Sequence, residues 1–172
     1  MPSYVIHVAI GQEYIKKHPG NIQNKEQFIQ GVIAPDRDEN KQKAHFCITD
    51  RTNIQLCDYI KTHSILSDYE KGYYLHLLTD YLFYSVMFKE ENKTAQKEGV
   101  GLYSDYDVLT KPLILKYQVE LPKEIEQYSR FVEGKLTYLA FDKISEFIDL
   151  VSSFQIEEEI ENRLSKKERR QA

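Results

Sequence analysis

The sequence predicts an all-α fold, a multi-helix bundle packed around one buried central helix over about residues 68–90. Three observations carry that expectation. Helix breakers are scarce, with 7 glycines and 5 prolines in 172 residues, while strong helix formers abound. The stretch Gly72 to Phe88, GYYLHLLTDYLFYSVMF, has apolar or tyrosyl groups on every side, the pattern of a helix buried all round. Ser67 with Glu70 sets a capping-box start just ahead of it. At 41% hydrophobic and 29% charged residues the composition is that of an ordinary globular protein. The length suits a single all-helical domain, residues 1–172, with 157–172 as the charged end of the last helix, free to project.

The elements follow in order. Residues 3–10, SYVIHVAI, are apolar around one polar intruder, His7. With Gln12 to Lys17 they form a first helix, ended by the breaker His18-Pro19-Gly20, where His18 is expected to be solvated. Asn24 and Gln27 open a second helix whose apolar side is Phe28, Ile29, Val32 and Ile33. Ala34-Pro35-Asp36 is expected to end it, and the polar run Arg37 to Lys43 reads as a loop of about ten residues, bracketed by Asp36 and His45. A third helix is expected from about Thr52 to His63, with His63 structural near its C-terminus. The central helix comes next, and residues 89–103 read as a polar surface connection with room for a lid role. Ser104 with Asp107 suggests a short turn or helix, Thr110 before Lys111-Pro112 another over Leu113 to Tyr117, and Pro122 a further helix to about Val132. The final helix is expected from about Thr137 to Arg170, with Ile144, Phe147, Ile148, Val151, Phe154, Ile160 and Leu164 at roughly helical intervals.

Composition also sets bounds on function. The net charge of −4 gives no electrostatic reason to expect nucleic acid as a partner. The central apolar run falls short of the ~20 residues a bilayer span needs and contains His76, Thr79 and Asp80, so no transmembrane segment is expected. No basic-then-apolar leader precedes Tyr4, and Cys47 and Cys57 form no Cys-x-x-Cys, which together suggest a cytoplasmic protein with reduced thiols.

Five positions stand out because neither apolar periodicity nor turn chemistry demands them: His7, Asp36, His45, His76 and Asp80. His76 and Asp80 lie four residues apart, on one face of the central helix. An ionised carboxylate buried without a partner costs several kcal/mol, so Asp80 must be paired, hydrogen-bonded or bound to a cation. Taken alone, the pair reads most simply as a buried hydrogen bond that pins helices together. All five side chains, however, are imidazole or carboxylate, the ligands that suit zinc and similar divalent ions.

In chain order, His7, GVIAPD (31–36), His45-Phe46 and His76-Leu-Leu-Thr-Asp80 resemble the motifs of the zinc-dependent phospholipase C family, which is related to the fungal single-strand nucleases. The resemblance covers about residues 1–90. It implies an all-helical hydrolase that holds one or two divalent metals, zinc in the first instance, and cleaves phosphate esters with a metal-activated water. It further implies His45, His76 and Asp80 around one metal, His7 at a neighbouring one, and Asp36 as bridge, completing ligand or base for the attacking water. The chain departs from the family's fuller site, having no histidine after His76 and no Trp. A three-metal arrangement is therefore not expected, and a downstream carboxylate, Asp105, Asp107 or Glu146, is left to join.

A bound divalent ion lowers the pKa of its water to about 7 and stabilises charge on a phosphoryl group. Arg37 and Lys43 are the cations in the same loop. Thr79 or a tyrosine is expected to receive an imidazole N–H. The substrate would be a small-molecule phosphate ester or a lipid head group. The alternative is a non-catalytic helical protein retaining a partial structural metal site or a partner-binding role, and the apolar face of the last helix leaves a homo-oligomer open.

Overall fold

The computed structural model of the protein describes residues 3–48, 53–63, 66–87 and 102–171. The Ser3 hydroxyl accepts the Ile6 amide and opens α1 (Tyr4–Lys17), whose residues Val5 to Gly11 are all buried. This helix therefore runs through the interior, and the histidine it buries is His7. Asn24 caps α2 (Lys25–Arg37) by accepting the Gln27 amide. The expected stop at Ala34-Pro35 is not where α2 ends. Pro35 falls in the last turn, where its missing N–H forfeits only the bond to the Gly31 carbonyl, so the helix carries on to Arg37. Asp36 consequently stands on a helix rather than in a loop.

The expected ten-residue loop is also built. Asp38 accepts the Asn40 amide at 2.8 Å, Asn40 accepts the Lys43 amide at 3.1 Å, and a single turn, α3 (Lys41–Ala44), ends at His45. Phe46 follows in the left-handed region, φ 53°, a conformation unusual for a side chain of this size. It is held there by edge-on contacts with the rings of Tyr59 and Tyr73. The next helix, α4 (Leu56–Thr62), begins after the expected Thr52, which lies outside the described residues.

The central helix α5 (Asp68–Leu82) has the full capping box of Ser67 and Glu70 and runs into a π-helical turn, Phe83–Met87. Its expected extension to residue 90, and all but the last two positions of the connection expected over 89–103, lie outside the described residues. One continuous helix, α6 (Leu102–Tyr117), replaces the two short pieces expected there. It tolerates Pro112 because only the Val108 carbonyl, at a half-buried position, loses its donor. A 3-10 segment, Lys123–Ser129, stands where a helix to Val132 was expected. The irregular chain beyond it is anchored by Asp105, whose carboxylate accepts the amides of Thr137, Tyr138 and Leu139 at 2.7–2.8 Å.

The single final helix expected over 137–170 is two, α7 (Phe141–Ser153) and α8 (Ile156–Gln171). At the break the Gln155 side chain accepts the Glu158 amide, and the Ile156 amide donates to the Tyr14 hydroxyl on α1. Glu157 is bound by Lys71 of α5 at 2.8 Å and by Asn21, which ties the start of α8 to the body of the bundle.

The fold is thus an all-α bundle, and among the described residues the only β-type pairing is an isolated bridge between Cys47 and Ile54. No helix among the described residues is long and apolar enough to cross a membrane. What sets the centre of the bundle is the crossing of α2 and α5 at two glycines. A Cβ on Gly31 would lie 1.9 Å from the Tyr69 carbonyl oxygen, and one on Gly72 would lie 2.0 Å from that of Phe28. The two backbones touch, which brings Asp36 at the end of α2 beside His76 and Asp80 on α5.

Candidate metal centre

All five of the singled-out residues meet at one place. His7 comes from the buried run of α1, Asp36 from the last turn of α2, His45 from the C-cap of α3, and His76 and Asp80 from successive turns of α5. His7, His45, His76 and Asp80 are fully buried, and only Asp36 reaches the surface, its side chain 12% exposed.

Two hydrogen bonds fix which way the imidazoles face. His76 Nδ1 lies 2.6 Å from the Val32 carbonyl oxygen and His45 Nδ1 lies 2.7 Å from that of Lys41. A carbonyl can only accept, so each Nδ1 carries the proton and each neutral ring turns a lone pair at Nε2 inward. Those two Nε2 atoms are 3.2 Å apart. The Tyr73 hydroxyl of α5 donates to the Ala44 carbonyl at 2.5 Å, which pins the His45 turn against the central helix.

Carboxylate oxygens complete the convergence. Asp36 Oδ1 lies 3.0 Å from His45 Nε2 and 3.6 Å from His76 Nε2, while Asp80 Oδ2 lies 3.4 Å and 3.3 Å from the same two atoms. For a tetrahedral ion with ligand bonds of 2.0–2.2 Å, donor atoms sit ~3.3–3.6 Å from one another. Within the trio His45, His76 and Asp80 the separations are 3.2–3.4 Å, close to that figure. Neither oxygen of Asp80 has a hydrogen bond, although the carboxylate is completely buried. A buried carboxylate facing two imidazole lone pairs is a set of electron donors with nothing between them, and a cation resolves it. The buried His and Asp groups therefore fit a divalent metal ion, in two overlapping sets: His45, His76 and Asp80, and His7, Asp36 and His76.

His76 belongs to both sets but offers only one nitrogen, because its other is committed to Val32. The two sets therefore overlap at His76 and are not two independent sites. His7 stacks face to face on His76, ring centroids 3.7 Å apart, and directs Nε2 at Asp80 Oδ1 over 3.1 Å. It contacts the carboxylate oxygen that does not face His45 and His76.

The electrostatics of the metal-free cluster show what a cation would replace. Burial by itself favours neutral His76, but the Asp36 and Asp80 carboxylates outweigh it and raise its pKa to about 10. Burial likewise opposes ionisation of Asp80 and Asp36, yet the imidazole charge, His76 first, holds both below the usual carboxylate range. His7 is pushed down by burial and by the charge on His76, and stays neutral. A proton on His76 thus occupies the position that an ion would take.

The other residues weighed from the sequence do not join the centre. Asp105 is saturated by its three amides, Glu146 is exposed and pairs with Lys143, and Asp107 is in neither set of donors. Thr79 donates its hydroxyl to the Leu75 carbonyl, and the imidazole N–H groups of His45 and His76 go instead to backbone carbonyls, which sequence reasoning had no means to single out. His63 is structural as expected, stacked on Tyr59, whereas His18 is not solvated but half-buried, its Nε2 donating to the Ser152 carbonyl. Arg37 and Lys43 are exposed. A missed signal was available in Gly31 and Gly72, since a glycine inside an apolar helix marks close backbone approach.

Fold and site together define a class, an all-α protein with a buried cluster of three histidines and two aspartates that could hold a metal ion. No protein-family model, curated protein or solved structure matches the chain. What the centre does is accordingly argued from its own chemistry.

Proposed function

We propose that the protein is a metal-dependent hydrolase of phosphate esters, of the phospholipase C-like kind that the four motifs resemble, with zinc as the first candidate ion. The observation that carries the reading is the graded burial of the donor set: His45, His76 and Asp80 are sealed, while Asp36 alone opens to solvent. Three fixed protein donors and one accessible position are what a catalytic zinc site requires. A divalent ion held there would lower the pKa of a water to about 7 and polarise a phosphoryl oxygen.

The chain's own groups supply the rest. Val32 and Lys41 hold the imidazoles in the tautomer that ligation needs, and His7 orients the Asp80 carboxylate from its far side. Asp36, at the rim, would accept the proton of an attacking water in this reading. Its neighbour Arg37 is exposed, and its charge acts on Tyr4 at the same rim, so it can meet a phosphate anion on arrival. Substrates of matching chemistry are small phosphodiesters and phosphorylated lipid head groups.

A second reading has its own support. Asp36 Oδ1 is near enough to His45 and His76 to close the fourth position, and four protein donors make a structural zinc site in a non-catalytic protein. Metal analysis and turnover separate the two. Protein purified without chelators or a His tag should carry near-stoichiometric zinc, manganese or iron, and H76A should carry none. D36N should then keep metal while losing hydrolysis of bis(p-nitrophenyl) phosphate by 100-fold or more under the hydrolase reading. Metal-free wild type that takes up no added zinc would end both readings.

A further inference from the structure

The centre opens to solvent at Asp36, so whatever an ester carries beyond its phosphoryl group lies against the surface around that residue. Two helices bring Tyr4 there. A Cβ at Gly11 of α1 would lie 3.0 Å from Ile29 Cδ1 and 3.2 Å from Val32 Cγ2 of α2, and the donor atoms of His7 and Asp36 lie within 4.8 Å of one another. The pair therefore runs antiparallel, and the start of α1 meets the end of α2. Tyr4 stands three residues before His7, on the same face and about 4.5 Å nearer the N-terminus along the axis, which places it beside Asp36. Burial first and the Asp36 carboxylate second push the Tyr4 pKa up to about 12, in keeping with that position. Against Tyr4 lies the ring of Tyr128, centroids 4.8 Å apart. Tyr128 is 52% exposed, packed on one side and wet on the other. The 3-10 segment that carries it is fixed to the bundle by buried Ile125 and by Gln30 of α2, whose side-chain amide donates to Glu124 at 3.3 Å.

Resting on the hydrolase reading above, we infer that Tyr4 and Tyr128 bind the alcohol side of the phosphate ester, and that this side carries a planar aromatic ring. The ring lies on the open face of Tyr128, with the phosphoryl group at the ion beyond Asp36. A tyrosine presents a flat surface at little cost in side-chain entropy, and a second ring laid on it gains from stacking as well as from area removed from water. A flexible alkyl chain gains the area alone and gives up conformational freedom on binding. Neither tyrosine takes part in making or breaking bonds. The two rings set which ester the centre takes: among small phosphodiesters, those with an aryl or nucleoside group before those with an alkyl one.

The test is Y128L in the full chain, beside wild type and Y128F, each loaded with zinc and titrated calorimetrically with phosphate monoesters. A phosphodiesterase releases monoesters as products, so they report binding without turnover. Wild type should bind phenyl phosphate about tenfold more tightly than methyl phosphate, the gain expected of one stacked ring. Adenosine 5′-monophosphate reads the same gain for a nucleobase, and tenfold with either ring supports the inference. Y128L should lose most of that gain while binding methyl phosphate as before, and Y128F should keep it. Metal content and thermal midpoint should be equal in all three, because Tyr128 is already half in water. Hexyl phosphate bound as tightly as the ring esters would overturn the inference, since any apolar group would then serve. Wild type that binds ring and methyl esters alike, or Y128L that keeps the full preference, would also overturn it, and each leaves the hydrolase reading standing. Y128L that fails to fold or loses its metal would do the same, making Tyr128 a packing residue. Wild type that takes up zinc but binds no phosphate ester sinks this inference and leaves the metal centre standing. Wild type that binds no zinc sinks the hydrolase reading with it.

Discussion

Replacing Gly72 by Ala sets two effects of opposite sign against each other. Helix propensity alone predicts a gain of about 1 kcal/mol, because Ala is the better helix former. The new Cβ, however, would lie 2.0 Å from the Phe28 carbonyl oxygen and 2.9 Å from the Val32 amide nitrogen. Close carbon–oxygen contacts settle at about 3.3–3.6 Å, so α2 and α5 would have to part by about 1.3 Å at the crossing. Backbone faces backbone there, and no side chain can rotate out of the way. Overpacking of this kind outweighs propensity, and a net destabilisation of about 2–4 kcal/mol is expected. For a chain of this length that is a fall of roughly 5–15 °C in Tm. Because α2 bears Asp36 and the Val32 carbonyl while α5 bears His76 and Asp80, metal affinity should fall with stability. Thermal and urea unfolding of metal-free wild type, G72A and G31A would measure it. G11A serves as the contrast, since its Cβ first meets the tip of the Ile29 side chain at 3.0 Å and should cost less than about 1 kcal/mol. A G72A protein as stable as wild type would refute the close crossing and the packing argument built on it.

Other expectations concern charge. D105A should lose about 2–4 kcal/mol by stranding the three amides its carboxylate accepts, with metal content unchanged; a loss of metal would show that Asp105 belongs to the centre after all. The metal-free protein should be most stable close to about pH 6.5, because His7, kept neutral by burial, destabilises the fold progressively as pH falls below its unfolded value. The depressed pKa values of Asp36 and Asp80 mean that their contribution is present above the unfolded carboxylate value and is lost as pH falls through the folded ones. His76, raised to about 10, contributes fully below its unfolded value and loses that contribution as pH climbs towards 10. These shifts describe one shared ion-pair cluster, so the contribution is counted once, at a few kcal/mol. Zinc should displace the His76 proton and weaken or reverse the alkaline fall. Urea midpoints from pH 4 to 10, with and without zinc, would decide this, and identical profiles would count against His76 as a ligand.

A good part of this architecture was legible in the chain itself. The all-round apolar character of Gly72 to Phe88 and the capping box at Ser67 placed the central helix, because both are local patterns of side-chain size and hydrogen bonding. The five candidate donors were legible for the complementary reason: a titrating group in an apolar run has to be explained by something other than packing. Where helices end was read less well. Pro35, Pro112 and the Phe154-Gln155 break were misjudged because a proline near a helix end or beside a half-buried carbonyl costs little, and because α8 turns away to bind Tyr14, Asn21 and Lys71.

The sequence by itself determined which residues had to meet something in the interior, since burying His7, His76 or Asp80 carries a desolvation cost wherever the helices go. Only the tertiary structure decided what they meet. The contact of Gly31 with Tyr69 and of Gly72 with Phe28 brings α2 within reach of α5, the carbonyls of Val32 and Lys41 turn two imidazoles inward, and the turn at Phe46 delivers His45 from outside the central helix. Each of these depends on distances between segments far apart in the chain, which residue identity and local periodicity do not encode.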